Sequence, residues 1–275
     1  MDVLFFCPRW GQEHVPWPVF AKQVKDVGYN GVEAGVPADD RERDTMLEAL
    51  AANGLLLVAQ HWETVTPDFE AHLAAYVERL HRMAAVAPLF INSQTGRDFF
   101  PMEQNIRLIT AAAEVAAATG IPVYHETHRG KFSFAAHITH AFLQQVPELQ
   151  LTLDLSHWLA VAESLLAEQQ PAVSLAIERT RHIHARVGHP EGPQISDPRA
   201  PEWEEVLNLH LACWDKIYRL HKDAGAKQLT ITAEFGPPPY MPVLPYTQQP
   251  VASQWEINCY MRSLLSSRYN HNPFQ

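Results

Sequence analysis

Met102 to Glu126 reads MEQNIRLITAAAEVAAATGIPVYHE and holds one complete folding unit. Apolar residues recur at helical spacing up to Thr119, which predicts a helix over 102–119. Gly120 follows, a residue able to take positive φ and turn the chain back. The short apolar run Pro122 to Glu126 then reads as a strand, and it closes on a carboxylate.

The same unit recurs on both sides of this stretch. Strands are predicted at Val3 to Cys7, Gly31 to Ala34, Leu55 to His61, Leu89 to Ser93, Gln150 to Asp154, His182 to Arg186 and Leu229 to Glu234. Helices are predicted at roughly 15–27, 40–53, 67–86, 134–146, 169–179, 203–224 and 251–266. Gly28, Gly54 and Gly225 mark further helix ends. Alternating strands and helices imply a parallel sheet with crossover helices. Eight units over about 250 residues predict a (β/α)8 TIM barrel, a single domain over 1–275, where an open doubly wound sheet more often stops at five or six strands. The proline-rich stretch 236–250, GPPPYMPVLPYTQQP, is expected to form an ordered loop over the barrel mouth.

Composition narrows the class further. With 47% apolar and 19% charged residues the chain is an ordinary globular one. No apolar run approaches the roughly 18 residues of a membrane span. The start MDVLFFCPRW lacks the basic region and long apolar stretch of a signal peptide, so a cytoplasmic location is expected. Cys7, Cys213 and Cys259 are widely spaced and read as reduced thiols. A net charge of −10 argues against nucleic acid as the main partner. Of the fifteen histidines, His72, His81 and His137 sit at helical positions where a solvated or capping role is expected.

In such a barrel the active site lies at the carboxyl ends of the strands. Four consecutive predicted strands end in metal-ligating types: Glu126 in PVYHETHRG, Asp154 in LTLDLSHW, His184 in RHIHARVGHP and Glu234 in LTITAEFGPPP. Neighbouring strand ends are roughly 5 Å apart, so four adjacent ones can converge on one ion. Three carboxylates and an imidazole suit one divalent metal ion, Mn2+, Mg2+ or Co2+, and also accommodate Zn2+. Without a cation the carboxylates would repel one another. Each residue taken singly is better explained as a polar strand-end cap, but independent capping does not explain four in succession.

The Glu, Asp, His, Glu order at Glu126, Asp154, His184 and Glu234, with His157 in the DLSHW segment, resembles the xylose isomerase-like barrel superfamily of sugar and sugar-phosphate isomerases and epimerases. The resemblance covers almost the whole chain. It implies that Glu126 and Glu234 also shuttle the proton and that His157 touches substrate. Chemistry agrees: a metal chelated by a hydroxyl and adjacent carbonyl stabilises the enediolate formed when a neighbouring proton leaves. Two glutamates on opposite sides of the carbon can then epimerise or isomerise it.

Further substrate contacts are expected around these groups. Arg186 should point the same way as His184 by strand alternation. His128 and Arg129 lie just beyond Glu126, either as substrate contacts or in a surface salt bridge. His189 and Glu191 belong to the long loop after strand seven, and His61 ends strand three. Trp10 and Trp62 either wall the pocket or serve ordinary packing, the latter favoured.

Two departures bound the resemblance. Ketose 3-epimerases carry a second glutamate six residues after the first ligand, where this chain has Phe132. A metal-dependent lyase or dehydratase on the same barrel is therefore the alternative reading. Apurinic-site endonucleases of the superfamily need three zinc ions and further histidines, whereas here strand four ends in INSQTG and Asp197-Pro198-Arg199 replaces an Asp-x-His pair. A noncatalytic carbohydrate-binding protein is the remaining alternative, against which the paired glutamates speak. The expected partner is a small carbohydrate-like molecule, with no membrane or nucleic acid, and association as a homodimer is left open.

Overall fold

The computed structural model describes residues 1–270. Its strands are β1 (Asp2–Pro8), β2 (Gly31–Ala34), β3 (Leu56–His61), β4 (Ile91–Ser93), β5 (Val123–Glu126), β6 (Leu151–Leu153), β7 (Thr180–His184) and β8 (Gln228–Thr232). They pair in parallel and in sequence order, and β1 closes on β8 through Val3 opposite Leu229 and Phe6 opposite Thr232. The (β/α)8 barrel read from the repeat length is the fold observed.

The helices are α1 (Trp17–Val27), α2 (Asp40–Ala52), α3 (Phe69–Ala84), α4 (Met102–Thr119), α5 (Ala136–Gln145), α6 (Leu155–Ala162), α7 (Gln170–Arg179), α8 (Glu204–Asp223) and α9 (Gln254–Tyr269). Their inner faces follow the helical period; in α1, Trp17, Phe20, Ala21 and Val24 are buried. Asp39, Asp68 and Ser253 cap α2, α3 and α9 by accepting a backbone N–H from the first turn. Gly28 and Gly120 close α1 and α4 in the left-handed conformation, with φ of 90° and 73°. Among the described residues no helix is long and apolar enough to cross a membrane.

Period-two alternation divides the inside of the barrel into levels. Phe6, Val58 and Phe90 form a small apolar cluster separate from the main core, and the His182 ring lies 5.0 Å from that of Phe90. Gly31 belongs to this level, where an added Cβ would stand 2.6 Å from the Phe6 ring and 2.4 Å from the Leu56 carbonyl oxygen. Two residues further along β2, β4 and β7, the inward positions become Glu33, Asn92 and His184. The barrel is thus plugged by apolar side chains below and polar ones above.

Several strands end sooner than the sequence predicts. Asp154 lies one residue beyond β6, while Arg186 and Glu234 lie two beyond β7 and β8. The chain leaves the ladder there to enter α6 or the loops. Inward direction survives because the spacing along each strand is unchanged. Helix α6 is unanticipated: Asp154 caps it, so DLSHW turns directly from strand into helix. His72, expected to be solvated or capping, is fully buried, with its Nδ1 2.9 Å from the Thr66 carbonyl oxygen.

Candidate active site

Glu126, Asp154, His184 and Glu234 are all buried, and each offers a ligand atom within 4.8 Å of the others. β5 and β7 deliver Glu126 and His184 as their last residues; the turns after β6 and β8 deliver Asp154 and Glu234. Four side chains separated by up to 108 positions along the chain, from 126 to 234, thus meet because adjacent barrel strands end side by side.

A fourth acidic residue orients this group and escaped the sequence reading. Glu33, at 1% exposure on β2, faces His184 Nε2 at 3.0 Å through Oε1. Its other oxygen, Oε2, accepts from the Thr232 hydroxyl at 2.5 Å and lies 3.2 Å from His182 Nε2. With Nε2 engaged on Glu33, His184 turns Nδ1 toward the cluster. Nδ1 lies in ion-pair contact with Glu234 Oε2 at 2.8 Å and stands 3.7 Å from Glu126 Oε1.

Three amides complete the ring of support. Asn92 donates to Glu33 Oε1 at 2.7 Å and to Glu126 Oε2 at 3.0 Å. Gln94 donates to Glu126 Oε1 at 3.2 Å, and Gln60 to Glu234 Oε1 at 2.8 Å. Their sequence signal is faint. Glu33, Gln60 and Asn92 are polar residues inside short apolar strands, where an unpaired polar group would be costly.

Arg186 reaches the site as its strand alternation predicts. Its guanidinium donates to Asp154 Oδ2, lies 2.7 Å from His157 Nε2 and stands 4.8 Å from the Tyr240 ring centroid. Asp154 Oδ1 accepts from the Ser156 hydroxyl and backbone N–H, at 2.5 and 3.0 Å. His157 in turn lies ring to ring with His128, with centroids 4.0 Å apart. The sequence-predicted residues His128, His157 and Arg186 thus form one connected strip beside Asp154.

The cavity above this strip encloses about 830 Å³ and is bordered by Gln60, Gln94, His128, Arg186, Glu234 and Tyr240 on its inner side. Tyr240 comes from the proline-rich loop, which therefore forms part of the mouth as expected. Both tryptophans line the cavity. Trp10 stands edge-on to Tyr240 at 5.0 Å, and Trp62 is 54% exposed, so neither is confined to the packing role favoured from sequence.

Other predicted contacts fall elsewhere. His61 is turned aside from the cavity, with Nε2 2.8 Å from Thr64 Oγ1 and Nδ1 3.3 Å from Ser93 Oγ, so it supports strand ends instead of meeting a ligand. His189 stands against Trp203 at 4.9 Å in the loop after β7, away from the cavity lining, and Glu191 follows it there. Arg129 is an exposed rim residue whose guanidinium lies 5.1 Å from the Tyr240 ring. Phe132 turns into the core against His125 and Phe142. Gln194, not singled out from sequence, accepts from the Gly236 N–H at 2.7 Å and donates to the Gly236 carbonyl at 3.2 Å, tying the loop after β7 to the one carrying Tyr240.

The electrostatics of the cluster are those of a site for a hard cation. Burial, reinforced by Glu234 and Asp154, pushes the Glu126 carboxyl up to about 8 although His184 opposes it. Burial also raises Asp154, against the pull of Arg186. His184 is held well above the ordinary imidazole range: burial lowers it, but Glu234, Glu33 and Glu126 outweigh burial. Glu33 goes the other way, since His184 and His182 overcome its burial and hold it well below the carboxylate range. Three buried carboxylates and a His184 Nδ1 turned toward them are the donor set that a divalent cation takes, so the residues fit the ion.

Fold and site together define a TIM barrel with a carboxylate and histidine cluster at the carboxyl ends of its strands. Within that class, the chain belongs to the xylose isomerase-like TIM barrel family, whose model matches residues 21–202. Glu126, Asp154 and His184 lie inside the matched span and Glu234 beyond it. The fold is similar to that of 3-keto-D-glucoside 4-epimerase YcjR from E. coli, with a TM-score of 0.63 and 12% identity over 97% of this chain and all of that one. It is also similar to the probable 3-DHS dehydratase AsbF from Bacillus anthracis, with a TM-score of 0.61 and 15% identity over 98% of this chain and all of that one. A sugar phosphate isomerase/epimerase from Parabacteroides distasonis gives 0.59 and 12%, covering 98% of this chain and 99% of that one. Protein EFR3 of Mycosarcoma maydis is 24% identical over 186 residues, which are 65% of this chain, and the chain spans only 17% of that protein's length.

Proposed function

We propose that the chain is a divalent-metal-dependent isomerase or epimerase acting on a sugar or related hydroxy-carbonyl compound by proton transfer through an enediolate. One observation carries this reading: four donors within 4.8 Å of one another, with His184 Nδ1 buried among three carboxylates. Glu126, Asp154, His184 and Glu234 would hold one ion, of which Mn2+, Mg2+ and Co2+ suit the oxygen-rich set best. That ion would supply Lewis-acid polarisation of the carbonyl.

The chain's own residues account for the rest. Glu234 borders the cavity and is fixed by Gln60, so its carboxylate is placed to take a proton from a substrate carbon. Glu126, buried beneath the cavity and held by Asn92 and Gln94, would be the second carboxylate, the one that returns it. His128 and Arg186, which line the cavity, would orient substrate oxygens, His157 would position both from behind, and Trp10 and Tyr240 form part of the cavity wall. The buried free thiols Cys7 and Cys213 suit a reducing compartment, and we place the protein in the cytoplasm.

A dehydratase is the second reading. It is favoured by the Arg186, His157 and His128 strip, which offers a proton route to a departing hydroxyl, and by Phe132 filling the place of a second glutamate. The test is proton NMR in D2O with Mn2+ and a panel of ketoses and keto sugars. The account expects deuterium to enter at a carbon next to the carbonyl, and Glu234→Gln to abolish this while Mn2+ still binds. No exchange on any member by the wild type would overturn the proton-transfer reading, and loss of water from the product would select the dehydratase.

A further inference from the structure

The cavity extends well past the four ligands. They come from the β5 to β8 side of the barrel, yet most of the cavity wall belongs to the ends of β2 and β3, the loops after β1, β2 and β3, and the helices α1 to α3. At about 830 Å³ the space lies near the top of the roughly 300–1,000 Å³ range of pockets that enclose drug-sized ligands, so a lone monosaccharide at the metal end leaves the outer half unfilled.

The outer half has its own chemistry. Trp62 presents its indole there at 54% exposure, although the chain buries Trp158 and Trp214 almost completely. Around it stand Glu42, Glu63, Arg79 and Arg82. Arg79 is paired with Glu63 at 2.5 Å and also donates to the Val36 carbonyl, and Arg82 donates to the Ala38 carbonyl at 2.7 Å. Arg9, on the same side, is stacked on Trp17 and Phe20 and donates to the Glu13 and Val15 carbonyls.

These pairings decide the charge of the ligand. A phosphate on Arg79 would have to displace Glu63, and one on Arg82, which donates to the Ala38 carbonyl, would share the wall with Glu63 and Glu42, two carboxylates that oppose an anion. Sugar hydroxyls both donate and accept, so the mixed wall of Glu42, Glu63, Arg79 and Arg82 satisfies them without displacing Glu63 from Arg79. An exposed indole beside that wall supplies the flat apolar surface for one face of a sugar ring.

We propose that this outer half is a subsite for a second, neutral sugar unit, stacked on Trp62, so that the substrate is a glycoside or disaccharide in place of a free monosaccharide or sugar phosphate. The inference rests on the enediolate reading for the metal end only. Its test is calorimetric titration of the Mn2+-supplemented protein with glucose, glucose 6-phosphate, cellobiose, maltose and lactose. At least one disaccharide is expected to bind about tenfold more tightly than glucose. Trp62→Ala is expected to bring that ratio close to one, and Trp62→Phe to retain part of it.

Three results would overturn the subsite: no disaccharide exceeding glucose, glucose 6-phosphate binding most tightly, or a ratio unchanged in Trp62→Ala. Because Trp62 is exposed, circular dichroism should show the variants folded as the wild type. The two proposals fail separately. A disaccharide that binds through Trp62 but never exchanges deuterium sinks the reaction and leaves the subsite standing.

Discussion

Glu33 and His184 meet inside the barrel at 3.0 Å although 151 positions separate them in the chain. A carboxylate on one imidazole nitrogen fixes both the ring orientation and which nitrogen is free to ligate. We therefore expect Glu33→Ala to weaken Mn2+ binding by about 10- to 100-fold. Glu33→Gln should recover part of the loss, because an amide oxygen still accepts from Nε2. Calorimetric titration measures both, and an unchanged affinity in Glu33→Ala would show that His184 needs no such support. Of the residues around the candidate ion site, the four candidate ligands were legible in the sequence because each lies at or within two residues of the end of a predicted strand. Glu33, Asn92 and Gln60 were not, since a polar residue within a strand announces neither its partner nor the level of the barrel it reaches.

At the scale of elements, the period of the helices and the glycines after them located every strand of the barrel. What the sequence obscured was where strands stop, because that depends on tertiary turns. Asp154 shows why: it leaves the ladder to cap α6 through the Ser156 N–H, and the same carboxylate meets Arg186. The loop after β7 is likewise fixed from outside. Gly188 passes so close to α6 that an added Cβ would stand 2.7 Å from that of Ser156, and its N–H donates to Nε2 of His210 on α8 at 3.3 Å.

That last contact makes the loop sensitive to acid. His210 Nδ1 donates to the Val206 carbonyl at 2.7 Å, so Nε2 must stay unprotonated to accept from Gly188. Burial pushes the ring down to about 4 from its ordinary 6.5. Since the folded value lies below the unfolded one, its contribution is complete above about pH 6.5 and is lost as pH falls toward about 4, amounting to ~3 kcal/mol. Urea unfolding across this range should show His210→Gln with a slope shallower by about one proton than the wild type. Equal slopes would mean that the ring is protonated in the native protein.

For the whole molecule, barrel closure is what creates the site. β1 pairing with β8 completes the ring, bringing Glu33 of β2 within reach of His184 on β7 while β5 to β8 carry the four candidate ligands. Eight repeats in the sequence implied that closure, and hence the convergence of distant carboxylates. The shape of the mouth was less legible: Trp62, Arg79 and Arg82 gather there through loop and helix placement that has no local sequence signature.

The central claim is that Glu126, Asp154, His184 and Glu234 hold one divalent cation. A crystal grown with Mn2+ and measured at the manganese absorption edge tests it most directly. A single anomalous peak is expected, bounded by the three carboxylates and His184 Nδ1, with Glu33 still on Nε2. No peak there, or one ligated instead by Glu33 and His182, would contradict it.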